Sequence, residues 1–249
     1  MSNAEDYLVG SIYHMVHFDN LQSIFSQRML LSKEQIEQKN LRYESIAYEN
    51  VQSLRDRVFV WRADQKKYRR LHSYVPFYFA TRTPMLYVQY KKGIQNNIVV
   101  FEVNRSILHN QGVLFTDGNA SNQQLSVVRG ERVGVTPCTN ENKLCQRRYL
   151  PGGPYGTNSN RSEFFSNVSF LERLRWDIIE GEWFNSDEKK RIKHTEVLVP
   201  DSLPLGLIQA ISVNSEDMAK AVNKLIAFAN KRTSLGVPFA TYKPALFFQ

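Results

Sequence analysis

The chain has 249 residues, 42% hydrophobic and 12% aromatic, enough for a substantial globular core in one large domain or two small ones. No apolar run approaches the ~20 residues of a membrane span, and the start carries Glu5 and Asp6 in place of a signal-type apolar segment, so the expected location is the cytoplasm. Cys138 and Cys145 are too few for a disulfide framework and lack companions at zinc-ligand spacing, whereas a net charge of +8 favours a polyanionic partner such as nucleic acid.

Ser11 to Val16 has the β-branched and aromatic content of a strand, and Asp19 is the expected N-cap of a helix carrying Leu21, Ile24, Phe25 and Met29. His14 and His17 are too far apart for neighbours on one strand face and have no third ligand nearby, so a metal site is not expected. A hydrogen-bonding imidazole at a strand end is the better functional reading, with a structural histidine its competitor. Ser32 to Val58 reads as helix-rich, with Ile46, Val51, Leu54 and Val58 at helical spacing and Ser45 as a cap. Arg55 lies beside that stripe. Its guanidinium is suited to a diphosphate or a carboxylate in a cleft, the plainer alternative being an ion pair with Asp56 or Glu49.

From Arg55 to Arg70 the cations Arg57, Arg62, Lys66, Lys67 and Arg69 alternate with Phe59, Trp61 and Tyr68. Cations track phosphates and rings stack on unpaired bases, so this mixture suits single-stranded nucleic acid, although a solvated loop has a similar composition. Leu71 to Phe79, followed by Pro84 to Tyr87, brings aromatic residues together as either a wall for a heteroaromatic ring or a strand buried on both faces. Ile98 to Val103 is a strand, and Asp117-Gly118 forms a turn that presents the Asn119 amide to a base edge or uses it to hold the turn.

Between Gln123 and Asn167 the Pro-Gly clusters forbid long regular elements, so this segment is expected to be a long functional loop, with Arg147, Arg148 and Tyr149 repeating the basic and aromatic theme. Phe164 to Trp183 reads as a helix with Phe165, Val168, Leu171, Leu174 and Ile178 on its apolar face. Glu196 then heads the run Val197-Leu198-Val199-Pro200, placing a carboxylate at the rim of a buried strand. Leu207 to Val213 is a further strand, and Ser215 caps a helix with Met218, Val222, Leu225 and Ile226. The pattern is a mixed α/β (α+β) domain without a GxGxxG or P-loop sequence.

Ile12-Tyr13-His14-Met15-Val16-His17, Ser45 to Tyr48 leading to Arg55, Leu71 to Phe79 with Pro84 to Tyr87, Phe115 to Gly118, and Glu196 to Val199 stand in one order along the chain. Together they resemble the DarT family, the DNA ADP-ribosyltransferase toxins of bacterial toxin and antitoxin pairs. The resemblance implies an ADP-ribosyltransferase-like fold, a split mixed sheet holding NAD in its cleft, over residues 1–249. It also implies transfer of ADP-ribose to a base of single-stranded DNA with release of nicotinamide, without a metal, countered by an antitoxin of DarG type, a macrodomain hydrolase. Position by position it implies Glu196 as the catalytic glutamate and Arg55 as its functional arginine. His14, Met15 and Val16 become contacts to the nicotinamide end, Ser23 and Leu31 further cofactor contacts, and Tyr78 and Met85 walls of the nicotinamide pocket. Asn119, Arg147, Arg148 and Tyr149 then lie in the acceptor-side loop expected to meet DNA. His17 is matched without a task, and the modified base is open between thymidine and guanosine.

Such chemistry suits the residue types independently. A carboxylate can stabilise oxocarbenium character at the anomeric carbon and accept a proton from a nucleophilic base nitrogen. The alternatives are a protein or RNA acceptor on the same enzyme, or a noncatalytic single-strand binding protein.

Overall fold

The computed structural model describes residues 4–62, 65–121, 128–129, 162–182, 184–231 and 234–249. Arg147, Arg148, Tyr149 and both cysteines lie outside the described residues. The chain runs through β1 (Ser11–His17), α1 (Leu21–Gln27), β2 (Met29–Leu31), α2 (Lys33–Gln38), α3 (Glu49–Arg55), β3 (Phe59–Arg62) and β4 (Lys67–Arg70). It continues through β5 (Tyr74–Tyr78), α4 (Pro84–Lys91), β6 (Ile98–Asn104), β7 (Leu114–Thr116), β8 (Val128–Arg129) and β9 (Phe164–Phe165). Then come α5 (Trp176–Ile179), α6 (Asp187–Lys193), β10 (Glu196–Pro200), β11 (Ser202–Pro204), β12 (Ile208–Val213), α7 (Glu216–Asn230) and β13 (Ala240–Tyr242).

Nine strands form one mixed sheet in the order β13-β12-β6-β1-β5-β10-β7-β9-β8. At its heart β6 buries six successive residues, Ile98 to Val103, as expected for a strand covered on both faces. β1 pairs with β6 along its whole length, from Ser11 opposite Asn104 to His17 opposite Ile98. On its other side β1 meets β5 only at Tyr13 and Tyr78. Pro76, in the middle of β5, has no N–H to give to a ladder, and its carbonyl instead accepts a hydrogen bond from His14 Nδ1 at 2.7 Å. The two halves of the sheet are therefore joined at this seam by one residue pair, where the resemblance implies a split.

α7 closes one face of the sheet, burying Val222 and Ile226. Ser215 caps it, its Oγ accepting from Met218 N at 3.1 Å, and Glu216 and Asp217 complement the dipole in the first turn. The C-terminal chain returns to the body, with β13 parallel to β12 and Phe247 fully buried.

Several expected boundaries move. Asp19 does not cap α1: its N–H donates to His17 Nδ1 at 3.3 Å in a 3-10 turn over Phe18–Asn20, and α1 then begins without a side-chain cap. This gives His17 its structural task. Ser45 closes a local turn with Ala47, so α3 starts later, at Glu49, while Ser32 caps the separate α2. Phe164 to Trp183 is not one helix. Phe164–Phe165 pair with β7, followed by a 3-10 stretch over Val168–Arg173 and the short α5. Leu171, Leu174 and Ile178 are buried as the pattern requires, but Leu174 is extended (φ −71°, ψ 144°) and divides the turns.

Candidate active site

Glu196 is the first residue of β10 and only 1% exposed, so it lies inside the molecule at the strand end rather than at an open rim. Along β10, Val197 and Val199 enter the main core, while Leu198 faces the other way, onto Val58, Val60 and Tyr74. Period-two alternation puts Glu196 on the Leu198 face, beneath α3. Thr116 Oγ1 fixes its backbone, accepting from Glu196 N at 3.0 Å while donating to Gly118 O at 2.5 Å. The carboxylate accepts from Ala120 N (3.0 Å to Oε1) and from Arg55 Nη1 (2.8 Å to Oε2, 3.1 Å to Oε1).

Arg55 ends α3 and points inward, 7% exposed, while Leu54, the residue expected in the apolar stripe, is 46% exposed. The inversion follows from electrostatics: a carboxylate buried without a partner is far more costly than one solvated leucine. Asp56 instead pairs with His72, whose Nε2 lies 3.0 Å from its Oδ1 and 3.3 Å from Gln52 O. Arg55 meets the carboxylate through Nη1 alone, leaving the rest of its guanidinium for the cleft it also lines.

That cleft, about 180 Å³, opens beside the seam of the sheet. His14, Met15, Val16, Ser23, Leu31 and Arg55 all line it, so six residues spread from β1 to α3 converge as expected. Asn20, Tyr43, Gln52 and His72 also line it without having been singled out as cofactor contacts. Bonding to Pro76 O makes Nδ1 the protonated nitrogen of His14, and burial pushes its pKa below the ordinary value against that hydrogen bond. A neutral imidazole therefore offers Nε2 as an acceptor.

Tyr78 stands opposite Glu196 in the β5–β10 ladder, and its hydroxyl donates weakly to Met85 Sδ at 3.9 Å. Burial, then the Glu196 charge, pushes the Tyr78 phenol well above its usual range, keeping it a hydrogen-bond donor. Met85 enters from the first turn of α4, which Thr83 caps and Pro84 starts. Tyr78 and Met85, expected as walls of the nicotinamide pocket, do not line the cleft; they pack against the cluster that includes Met15, on the Glu196 side of the ladder. His194, absent from the expected site, has its ring 6.3 Å from that of Tyr78.

The Asp117-Gly118 turn forms as expected, but Asn119 uses its side chain to hold it, Oδ1 accepting from Ser121 N at 2.8 Å and Ser121 Oγ at 2.6 Å. Gly118 leaves room for the Arg191 and Ser162 side chains, which a Cβ there would force to move. Arg191 Nη1 reaches Asp117 O at 3.3 Å and Ser162 Oγ at 3.2 Å. Thr116, Ala120 and Arg191 escape sequence reasoning, their only signal being the neighbouring Asp-Gly turn. Among the described residues no three His, Cys, Asp or Glu side chains gather at metal-binding distance.

A mixed sheet whose halves are joined by one residue pair, with an arginine-paired glutamate buried beside a cleft at its seam, defines an enzyme of the ADP-ribosyltransferase class. The family model "ssDNA thymidine ADP-ribosyltransferase, DarT" matches residues 13–137 and 155–241, and the chain belongs to the DarT family. A DNA ADP-ribosyl transferase of Thermus sp. is 29% identical over 221 residues, 86% of each chain. A transferase–glycohydrolase fusion protein of Thermosipho africanus is 23% identical over 93% of this chain and 48% of its own length. Among solved structures, Thermus sp. 2.9 DarT in complex with ADP-ribosylated ssDNA superposes with a TM-score of 0.71 at 24% identity, covering 96% of both chains. The same enzyme in complex with NAD+ gives 0.66 at 23% identity, over 96% of this chain and 98% of that one. At those identities the superpositions establish the fold.

Proposed function

We propose that Glu196 is the catalytic carboxylate of a mono-ADP-ribosyltransferase that moves ADP-ribose from NAD to thymidine in single-stranded DNA and releases nicotinamide. The observation that carries this reading is the Glu196–Arg55 pair at the seam of the sheet, 2.8 Å apart and next to a cleft lined by His14. The DNA ADP-ribosyl transferase of Thermus sp. and the DarT complexes with NAD+ and with ADP-ribosylated ssDNA support the substrates.

The residues fit a dinucleotide donor. The guanidinium nitrogens of Arg55 that bond to no described residue suit a diphosphate, and His14 Nε2 with the backbone of Met15 and Val16 suits hydroxyl and amide donors at the nicotinamide end. Ser23 and Leu31 line the cleft itself, and Tyr78 and Met85, which stand outside its lining, supply an apolar wall for a ring beside the carboxylate. The donor supplies a glycosidic bond whose electron pair leaves with nicotinamide. Glu196 stabilises positive charge at the anomeric carbon and accepts the proton from the base nitrogen as the new bond forms. Ala120 N–H and Arg55 orient the carboxylate for both tasks.

Unpaired DNA is the acceptor on physical grounds, because a base in a duplex must first be flipped out. Residues 1–249 act as one transferase domain in the cytoplasm. The counterpart is a DarG-type macrodomain hydrolase, in keeping with the relative that joins a glycohydrolase to its transferase. Among the described residues no helix is long and apolar enough to cross a membrane.

Mass spectrometry of nucleosides from an oligonucleotide set incubated with protein and NAD reads activity and base together. The expected product is ADP-ribosyl thymidine, lowered ~10²–10⁴-fold in Glu196→Gln and abolished in Glu196→Ala. Full labelling by the Glu196 variants would sink the assignment.

A further inference from the structure

The basic and aromatic stretch that follows Arg55 is not used by the cleft. It folds as the hairpin of β3 and β4, in register from Phe59 opposite Arg70 to Arg62 opposite Lys67. Val58 and Val60 press one side of it onto Leu114 and Leu198 of the sheet. Arg62 and Arg69 are ion-paired, to Asp201 at 3.2 Å and Glu34 at 2.5 Å, and thereby anchor the hairpin. Arg57, Lys66, Lys67 and Arg70, in contrast, are exposed and form no ion pair with any described residue. Cations left unpaired on an anchored hairpin are an electrostatic footprint for phosphates.

Beside the hairpin lies a second groove, of about 420 Å³. Trp61 and Tyr74 supply aromatic walls, and His109, Asn110 and Gln111 a polar one. The Trp61 ring is already tilted against Tyr68 at 5.1 Å, which fixes its orientation. Asn110 and Gln111 are exposed, and their side-chain amides bond to no described residue. A rigid ring with free amides and nearby cations is suited to a stacked base, its edge and its phosphates.

The groove also has the right address. Tyr74 is opposite Pro200 and Tyr78 opposite Glu196, so groove and carboxylate share a face of the β5–β10 ladder. The four residues from Glu196 to Pro200 set them roughly 13 Å apart at about 3.3 Å per residue. The chain from Arg55 to Trp61 runs between the two, with exposed Arg57 on the way.

We propose that the β3–β4 hairpin and this groove form a second nucleotide site, which stacks an unpaired DNA base flanking the acceptor base and holds its phosphates. The proposal rests on the transferase reading above. It makes the groove a determinant of strand length and local sequence preference, separate from the chemistry at Glu196.

The test measures KM for oligonucleotides carrying one acceptor thymidine, lengthened one nucleotide at a time on either side, at several salt concentrations. In the wild type, KM falls when the strand on one side becomes long enough to reach the groove. Trp61→Ala reduces that gain about tenfold and Trp61→Phe restores most of it. Lys66→Ala combined with Lys67→Ala makes the salt dependence of log KM shallower by about 1.4, near 0.7 for each lost phosphate contact. If Trp61→Ala keeps the full gain with length, or loses as much on the shortest acceptor as on the longest, the second site is overturned. No labelling of any oligonucleotide by the wild type overturns the transferase reading instead.

Discussion

The halves of the sheet on either side of the Tyr13–Tyr78 seam differ in what they bury. On the β6 side, strand after strand buries hydrocarbon, with Ile98 to Phe101 fully covered and Glu102 held by Ser212 at 2.5 Å and Lys243 at 2.9 Å. On the β10 side, an apolar ladder ends in a buried cluster of polar groups: Glu196, Arg55, Thr116 and the N–H of Ala120. The first half is stabilised chiefly by area removed from water, which scarcely depends on orientation. The second depends on hydrogen bonds that must all be made, because each one lost leaves a buried charge or dipole unsatisfied. Stability can come from either side, whereas directed chemistry needs the second.

Two substitutions break this comparison most strongly. Phe101→Ala in β6 removes a fully buried ring and should cost about 3–5 kcal/mol. Arg55→Ala leaves Glu196 buried without its cation and should cost a similar ~3–5 kcal/mol. Urea unfolding should therefore rank them together. Labelling of DNA, measured at a temperature where both are folded, should survive in Phe101→Ala and be lost in Arg55→Ala; equal activities would remove the distinction between the halves.

A smaller effect is expected from His72, which braces the end of α3 through Asp56 and the Gln52 carbonyl. Burial, followed by the nearby Lys33 and Arg55 charges, lowers its pKa from 6.5 to about 4. Between those values the unfolded chain takes up a proton that the folded protein excludes. The stability present above about 6.5 is therefore lost as pH falls towards 4. His72→Gln, unable to titrate, should flatten that part of the stability–pH curve in denaturant titrations; an unchanged slope would assign the acid sensitivity to other groups.

The smallest change sharpens the contrast from the scaffold side. Ser215→Ala removes the α7 cap, at a cost of about 1 kcal/mol, and should leave labelling at wild-type level. A melting curve and a single-point labelling assay suffice, and a loss of labelling beyond the small loss of stability would tie α7 to the site.

Legibility in the sequence follows the same division. β1, β6, β12 and the cap of α7 are readable because apolar alternation, continuous apolar runs and a Ser before an acidic first turn are local signals. The helix starts expected at Asp19 and Ser45 do not form, because the imidazole of His17 and the hydroxyl of Ser45 make local bonds instead. Phe164 to Trp183 kept its apolar positions but not its helix, since Phe164 and Phe165 found a strand partner in β7.

By itself the sequence determined β1, β6, β12 and α7 and, through the order of its motifs, the family, and it singled out Glu196, Arg55 and His14, which the fold brings to the seam and its cleft. Tertiary structure alone decided how they are used. It turned Arg55 inward and Leu54 outward, held Glu196 with Ala120 and Thr116, committed the Asn119 amide to its own turn, and left the halves of the sheet joined by one residue pair where Pro76 has no N–H to offer. The physical reason is range. Propensity and periodicity act over a few neighbouring residues, whereas a buried charge must find its partner wherever the fold brings one, here 141 positions away in the chain.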